Sequence, residues 1–325
     1  MRAPDFWSAG HNSPLATALA PLGCLYGAIT HRRATRAPSW RAPVPVICVG
    51  NAVMGGAGKT QVCIDLVKRL SARGTPVHVL TRGYGGTQPG PVRVDAATHS
   101  AADVGDEALV LATCAPCWVG GDRTVTAKAA VAAGAGILVM DDGYQNPALA
   151  RDVNLLVIDA DYGFGNGHVF PAGPLRETAQ SAFARADAAL VIGETGPALP
   201  SLPSSLPRFN ARIRPAADAP DLGGKEVIAL AGIGRPEKFF RTLREAGAEI
   251  FKTISFADHH PYTASEMTAL LQTATDNDCA LITTEKDHQR LPTSIKDRII
   301  AYPVCLTWQD EDALERFILE RSGLN

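Results

Sequence analysis

Long apolar runs are scarce in this 325-residue chain. The one uncharged stretch near the start, residues 14–30 ("PLATALAPLGCLYGAIT"), is shorter than the roughly 20 residues a spanning helix needs, and Pro21 interrupts it. A secretory signal is excluded on other grounds: only Arg2 precedes the run, and the arginines at 32, 33, 36 and 41 follow it. Net charge is nearly absent, −2, so there is no global pull toward nucleic acid. Paired cysteines are missing too. The seven cysteines (24, 48, 63, 114, 117, 279, 305) are odd in number and scattered. Cys114 and Cys117 form a single CxxC with no second pair or nearby histidines, which is weak support for zinc or redox chemistry. The set reads as reduced, buried thiols of a cytoplasmic protein.

What is present is a chain rich enough in apolar residues, 46%, to bury real cores, and long enough for two domains. A β/α rhythm begins near residue 43, with strands expected at 44–49, 77–80, 117–119, 137–140, 153–158 and 188–192. Helices are expected at 59–73, 106–113, 123–133 and 175–186. Short strands alternating with helices predict α/β architecture with a doubly wound parallel sheet. A Pro- and Ser-rich stretch at about 196–208 predicts a linker. The rhythm then resumes at lower density. The expected organisation is an N-terminal segment 1–40, a nucleotide-binding domain 41–195 and a smaller second α/β domain 196–325. The N-terminal segment reads equally well as a buried helix or as one lying at a membrane interface, its arginines facing anionic head groups.

"VGNAVMGGAGKTQ" (49–61) ends like a phosphate-binding loop, the P-loop, although Val53 stands where G-x-x-x-x-G-K-[ST] has its first glycine. It follows an apolar strand and opens an amphipathic helix. In Val53, Met54, Gly55, Gly56, Ala57, Gly58, Lys59 and Thr60, small residues let backbone N–H groups cradle phosphates. Lys59 brings charge to the β- and γ-phosphates, and the Thr60 hydroxyl suits Mg²⁺. The plain alternative is a glycine turn that caps a helix. "MDDGYQ" ends another strand with Asp141 and Asp142, one of which can hold the metal. "TRGYGG" presents Arg82, suited to phosphate, and Tyr84, suited to a sugar hydroxyl, unless it is only a turn. "GDE" puts Asp106 and Glu107 at a helix start, where a favourable helix-dipole interaction alone would explain them. "FADHHPY" sets Asp258 beside His259 and His260, an arrangement that serves acid–base work as well as it serves a surface turn.

Taken in order, "GNAVMGGAGKTQ", "TRGYGG", "GDE", "DDGYQN", "GNGHVFPAGPLRE", "FADHHPY" and "TTEKD" resemble the tetraacyldisaccharide 4'-kinases, from about residue 5 to residue 287. That family's loop also lacks the first glycine. The resemblance implies ATP- and Mg²⁺-dependent phosphorylation of the 4'-hydroxyl of a lipid A disaccharide 1-phosphate precursor. It implies work at the cytoplasmic face of the inner membrane of Gram-negative bacteria, with the N-terminal run as a membrane-docking helix on anionic lipid. It assigns the base to Asp106 paired with His259. It places Glu107, Asp141, Asp142 and Gln145 around metal and phosphate, and Arg82, Tyr84, Arg123, Asn146 and Arg176 around the acceptor's head group. Two positions depart from the pattern: Asn146 stands where many members have His, and Thr178 where Pro is usual. No protein or nucleic-acid partner is implied.

Two rivals are weaker. A guanine-binding switch needs N-K-x-D, and "TTEKD" has Lys286 and Asp287 adjacent. A dimeric switch ATPase of the GGxGK[ST] group carries lysine before the glycines, where this chain has Met54. A soluble small-metabolite kinase has no use for the apolar start. Asp106 and His259 fall in different expected domains, so a closing movement on substrate binding is expected to bring them together.

Overall fold

The structure is a computed structural model and describes residues 4–10, 13–194, 196 and 198–324. In chain order the strands are β1 Val46–Gly50, β2 Val77–Thr81, β3 Val92–Arg93, β4 Cys117–Val119, β5 Ile137–Asp141, β6 Val153–Asp159 and β7 Ala188–Ile192. They continue with β8 Arg208–Pro215, β9 Glu226–Ala231, β10 Glu249–Ser255, β11 Ala280–Thr284, β12 Ile300–Tyr302 and β13 Val304–Trp308. They form a nine-stranded sheet, ordered β13-β8-β7-β6-β1-β5-β2-β4-β3, and a four-stranded sheet, ordered β10-β9-β11-β12. The smaller sheet is parallel throughout. The larger is parallel except at its edges, where β13 and β3 run antiparallel to their neighbours.

β1, β2, β5 and β7 are buried at every position. Such strands read as continuous apolar runs because helices cover both faces. Alternate residues serve opposite cores. Ile47 and Val49 pack with Val62 and Leu66 of helix Lys59–Ala72 and with Leu314 of helix Glu311–Ser322, while Val46 and Cys48 pack with Ala127 and Ala130 of helix Arg123–Ala132. Adjacent parallel strands β6, β1 and β5 bring Asp159, Asn51 and Asp141 to one sheet edge, where ligands of α/β folds bind.

The smaller unit is narrower than the expected 196–325. β8 pairs with β7, and after the small sheet the chain returns as β13 to pair with β8. The C-terminal helix then packs on the large core. Of the expected linker, Pro197 lies outside the described residues, and β8 begins at Arg208. All seven cysteines are free thiols. Cys48, Cys63 and Cys117 are buried, and Cys24 is exposed.

Helix Pro14–Ala34 is continuous through Pro21, with the Ser13 hydroxyl accepting from the Leu15 N–H at its start. Its two faces differ. Ala16, Gly23, Gly27 and Ala34 are buried. Leu15, Leu22, Leu25 and Ile29 are 52–60% exposed and are four of the seven exposed large hydrophobics among the described residues. The wholly buried reading of this helix therefore does not hold. No helix among the described residues is long and apolar enough to cross a membrane. The small face docks on the loop before helix Ala179–Arg185: Tyr26 and Trp7 meet Phe170 edge-on, and His31 Nδ1 lies 2.8 Å from Ser181 Oγ.

A Cβ on Gly23 would sit 2.7 Å from the Val169 carbonyl oxygen. In an open helix Gly→Ala gains about 1 kcal/mol. Here the forced shift outweighs it, at about 1–3 kcal/mol. Gly23→Ala is expected to lower the thermal midpoint and expose residues 13–34 to limited proteolysis; a raised midpoint contradicts the docking described.

Candidate active site

The segment between β1 and helix Lys59–Ala72 folds as a glycine loop. Gly58 is its hinge, at φ +89° in the left-handed region that favours glycine. Met54 N–H donates to the Pro174 carbonyl, and buried Val53 bridges to Leu175. Asn51, fully buried, accepts from Lys59 Nζ at 3.1 Å and donates to the Gly55 carbonyl at 3.3 Å. No heavy atom lies within 4 Å of a Cβ built on Gly55 or Gly56, so the space before them is open. Thr60 is partly exposed in the first helical turn.

Two carboxylates end β5, and their environments push them apart. Asp142, at φ +48°, is held by Lys59 at 3.4 Å and Arg176 at 2.8 Å. Burial alone would raise its proton affinity, but these two cations overcome it and hold the carboxyl well below the usual range. Asp141 is buried and lies near Thr81 Oγ1 (3.4 Å) and Cys63 Sγ (3.7 Å). Burial, then the negative charges of Glu107 and Asp142, push its carboxyl up to about 7, against the pull of Lys59 and Arg123.

Asp106 joins the two sheets. It opens helix Asp106–Ala112 and is 2% exposed. Its Oδ1 accepts from the Glu107 N–H at 2.8 Å, and its Oδ2 lies 3.0 Å from His259 Nδ1. An ionised carboxylate only accepts, so Nδ1 carries the proton and a neutral ring leaves Nε2 as a lone pair. Arg290 Nε stands 3.1 Å from the same Oδ2. Burial favours protonation of Asp106, but the His259 bond and the charges of Lys286, His259 and Arg290 outweigh it and hold the carboxyl below its ordinary range. His259 sits at φ +58°, a conformation costly for a non-glycine residue, with its N–H on the Gly232 carbonyl. Tyr84 covers its ring at 5.2 Å. The contact is made in this structure, so no closing movement is needed to form it.

A model of the family described as "Tetraacyldisaccharide-1-P 4'-kinase" matches residues 15–322. The chain belongs to this kinase family. It is 50% identical over 323 residues to the tetraacyldisaccharide 4'-kinase of Rhodospirillum centenum, covering 98% of this chain and 96% of that one. It is 52% identical to that of Gluconacetobacter diazotrophicus over 320 residues, covering 98% and 97%. Among solved structures it resembles the "apo" form of LpxK from Aquifex aeolicus in complex with ATP, with TM-score 0.75, 25% identity, and 95% and 99% of the two chains covered. The mixed α/β fold with a parallel sheet matches that structure.

The residues that the family resemblance assigned divide into two groups. Lys59, Asp142 and Arg176 form one cluster beside Asp141, and Asp106, His259 and Tyr84 form a second, with the charge of Glu107, next to Asp106, acting on Asp141. Others stand differently. Gln145 is held by hydrogen bonds: its Oε1 accepts from Arg176 at 3.2 Å, and its Nε2 donates to the Asn51 carbonyl and to Glu177. Arg123 is buried and donates to the Gly120 carbonyl, its Nη2 lying 3.4 Å from the Asp141 carbonyl. With Asn146, Trp40 and Lys128 it lines an open groove of about 630 Å³. Arg82 is exposed.

Sequence reasoning missed the residues that brace the site. Lys286 Nζ meets Glu107 at 3.1 Å. Buried Asp287 accepts from the Gly232 N–H, the Tyr262 hydroxyl and Arg290. "TTEKD" marked this segment, but nothing in it announced that Lys286 would reach the first sheet. Arg185 clamps buried Glu177 at 2.6 and 2.7 Å, and Glu177 in turn accepts from Gln145.

Asp141 supplies a pH test. Its folded proton affinity lies above the unfolded value near pH 4, so the stability it lends is full below that pH. That stability is lost as pH rises through about 7. Asp141→Asn is expected to melt a few degrees above wild type at pH 8 without divalent cations, with the difference gone by pH 4. A lower midpoint at pH 8 contradicts the electrostatics described.

Proposed function

We propose that this protein transfers the γ-phosphoryl group of ATP to the 4'-hydroxyl of a lipid A disaccharide 1-phosphate precursor, a step of lipid A biosynthesis. Family membership and the likeness to an ATP complex support the reaction and its nucleotide. The observation that carries the mechanism is the Asp106–His259 contact, whose neighbour Glu107 acts on Asp141 at the end of β5.

In this reading residues 53–60 act as the P-loop. Their N–H groups and Lys59 neutralise the β- and γ-phosphates. The hydroxyl must lose its proton during attack, and Asp106 and His259 accept it as a pair. A carboxylate of lowered proton affinity is a weak base alone, and the imidazole bonded to it shares the charge. Arg290 and Glu107 N–H keep the carboxylate oriented.

Mg²⁺ fits the residues present. Asp141 is a buried carboxylate in a negative field, with Glu107 contributing to that field and Thr60 at the loop. No group of three or more His, Cys, Asp or Glu among the described residues could hold a metal alone. Mg²⁺ binds through one or two carboxylates and keeps waters and phosphates as its other ligands. When bound, it would offset charge on the transferring phosphates. Asp142 is occupied by Lys59 and Arg176, so Asp141 is the better candidate.

The proposed acceptor is amphipathic, and in this reading the N-terminal helix meets it at a membrane. Tyr26 packs against Phe170, so the helix that carries the exposed Leu15–Ile29 stripe is held on the loop that leads to Arg176. Arg32, Arg33 and Arg36 follow for anionic head groups. Peripheral attachment at the cytoplasmic face of the inner membrane is part of the same proposal.

Phosphate transfer from γ-labelled ATP to a lipid A disaccharide 1-phosphate, with free disaccharide as the alternative acceptor, tests the reaction. Labelled lipid product is expected; equal use of the free sugar overturns the acceptor reading. For the membrane, Leu22→Ser, Leu25→Ser and Ile29→Ser together are expected to reduce sedimentation with anionic vesicles by at least about tenfold. Unchanged sedimentation contradicts the docking role.

A further inference from the structure

The small sheet also reaches the glycine loop from the far side, through Arg235. This residue stands at the N-cap of helix Pro236–Glu245. Its Nη2 donates to the Gly56 carbonyl at 2.5 Å, and its Nη1 lies 2.5 Å from Asp159 Oδ2 at the end of β6. The guanidinium lies over the Tyr162 ring, 4.5 Å from its centroid. Asp159 is 2% exposed and is also met by Lys238 Nζ at 2.5 Å. The approach is close: a Cβ on Gly234 would stand 3.5 Å from Gly56 N.

One planar group is thus fixed by a ring, a buried carboxylate and a loop carbonyl. A planar guanidinium can stack, form an ion pair and donate at once; an ammonium is a single point charge. The consequence for the loop follows from peptide geometry. In a trans peptide the Gly56 carbonyl and the Ala57 N–H lie in one plane and point to opposite sides. Holding the oxygen toward Arg235 therefore turns the Ala57 N–H the other way, into the loop. Gly55 and Gly56 are exposed and, with no Cβ, have little of their own to hold that plane.

We infer that Arg235 is a positioning residue for the nucleotide: it fixes the Gly56–Ala57 peptide so that the loop presents its N–H groups to the phosphates of a nucleoside di- or triphosphate. The inference rests on the proposed nucleotide role of residues 53–60. Lys238 supplies the internal control, since it shares Asp159 but does not touch the loop.

The test is calorimetric titration of the full-length protein and its variants with ADP and ATP, with thermal unfolding in parallel. Arg235→Ala and Lys238→Ala each remove one cation from Asp159 and are expected to lose similar stability. Arg235→Ala is expected to weaken both nucleotides about tenfold, raising KM for ATP with little change in kcat. Lys238→Ala should bind within about twofold of wild type. Arg235→Lys, which keeps the charge but not the fork, should stay near the Arg235→Ala level. Wild-type affinity in Arg235→Ala, an equal loss in Lys238→Ala, or full rescue by Arg235→Lys overturns the positioning role. If wild type itself binds neither nucleotide, the nucleotide reading of the loop fails instead.

Discussion

A single buried carboxylate, Asp106, holds the candidate site together. A charge at 2% exposure is costly unless cations and hydrogen bonds surround it. The large sheet offers Asp106 only the Glu107 N–H; the small sheet supplies His259 and Arg290. The pair proposed to accept a proton therefore exists only while the two sheets are docked. The same seam carries Lys286 on Glu107 and Arg235 and Lys238 on Asp159. Each is a carboxylate or acidic site of the first sheet answered by a cation of the second. The docking that builds the site is thus electrostatic as well as steric, and it surrounds the place where a polyanionic nucleotide is proposed to bind.

Much of this was legible in the sequence, because it is written locally. The buried strands announce themselves as apolar runs, and the expected helix at 123–133 and strand at 117–119 stand within one residue of Arg123–Ala132 and Cys117–Val119. The glycine loop is readable because its strand, its left-handed Gly58 and its helix are contiguous. β8 and β13 were not readable. Their sequences, "RFNARIRP" and "VCLTW", mix polar and apolar residues as outer strands do, and their pairing spans the whole small sheet. This is why the second unit looked wider than it is. Arg235 and Lys286 each act across 179 residues, a reach no local pattern encodes. The family resemblance supplied Asp106 and His259 as a pair, which spacing alone could not.

The N-terminal helix shows the same division between local and tertiary information. Its lack of charge was evident, but which side is buried was not. The small residues Ala16, Gly23, Gly27 and Ala34 face the protein, and the leucines face out. A helix that buries its small face and exposes its large one inverts the usual pattern of a globular surface helix. The exposed stripe is what an acyl-chain environment would cover. Through Tyr26 on Phe170 the helix that carries it is tied to the loop that leads to Arg176, which holds Asp142.

The central claim is that Asp106 and His259 act as one unit in accepting the proton. A double-mutant cycle in kcat/KM on the lipid disaccharide, with Asp106→Ala, His259→Ala and both together, tests it most directly. One unit predicts that the double variant is little worse than the poorer single. If the two losses multiply, the residues act independently and the paired mechanism is wrong.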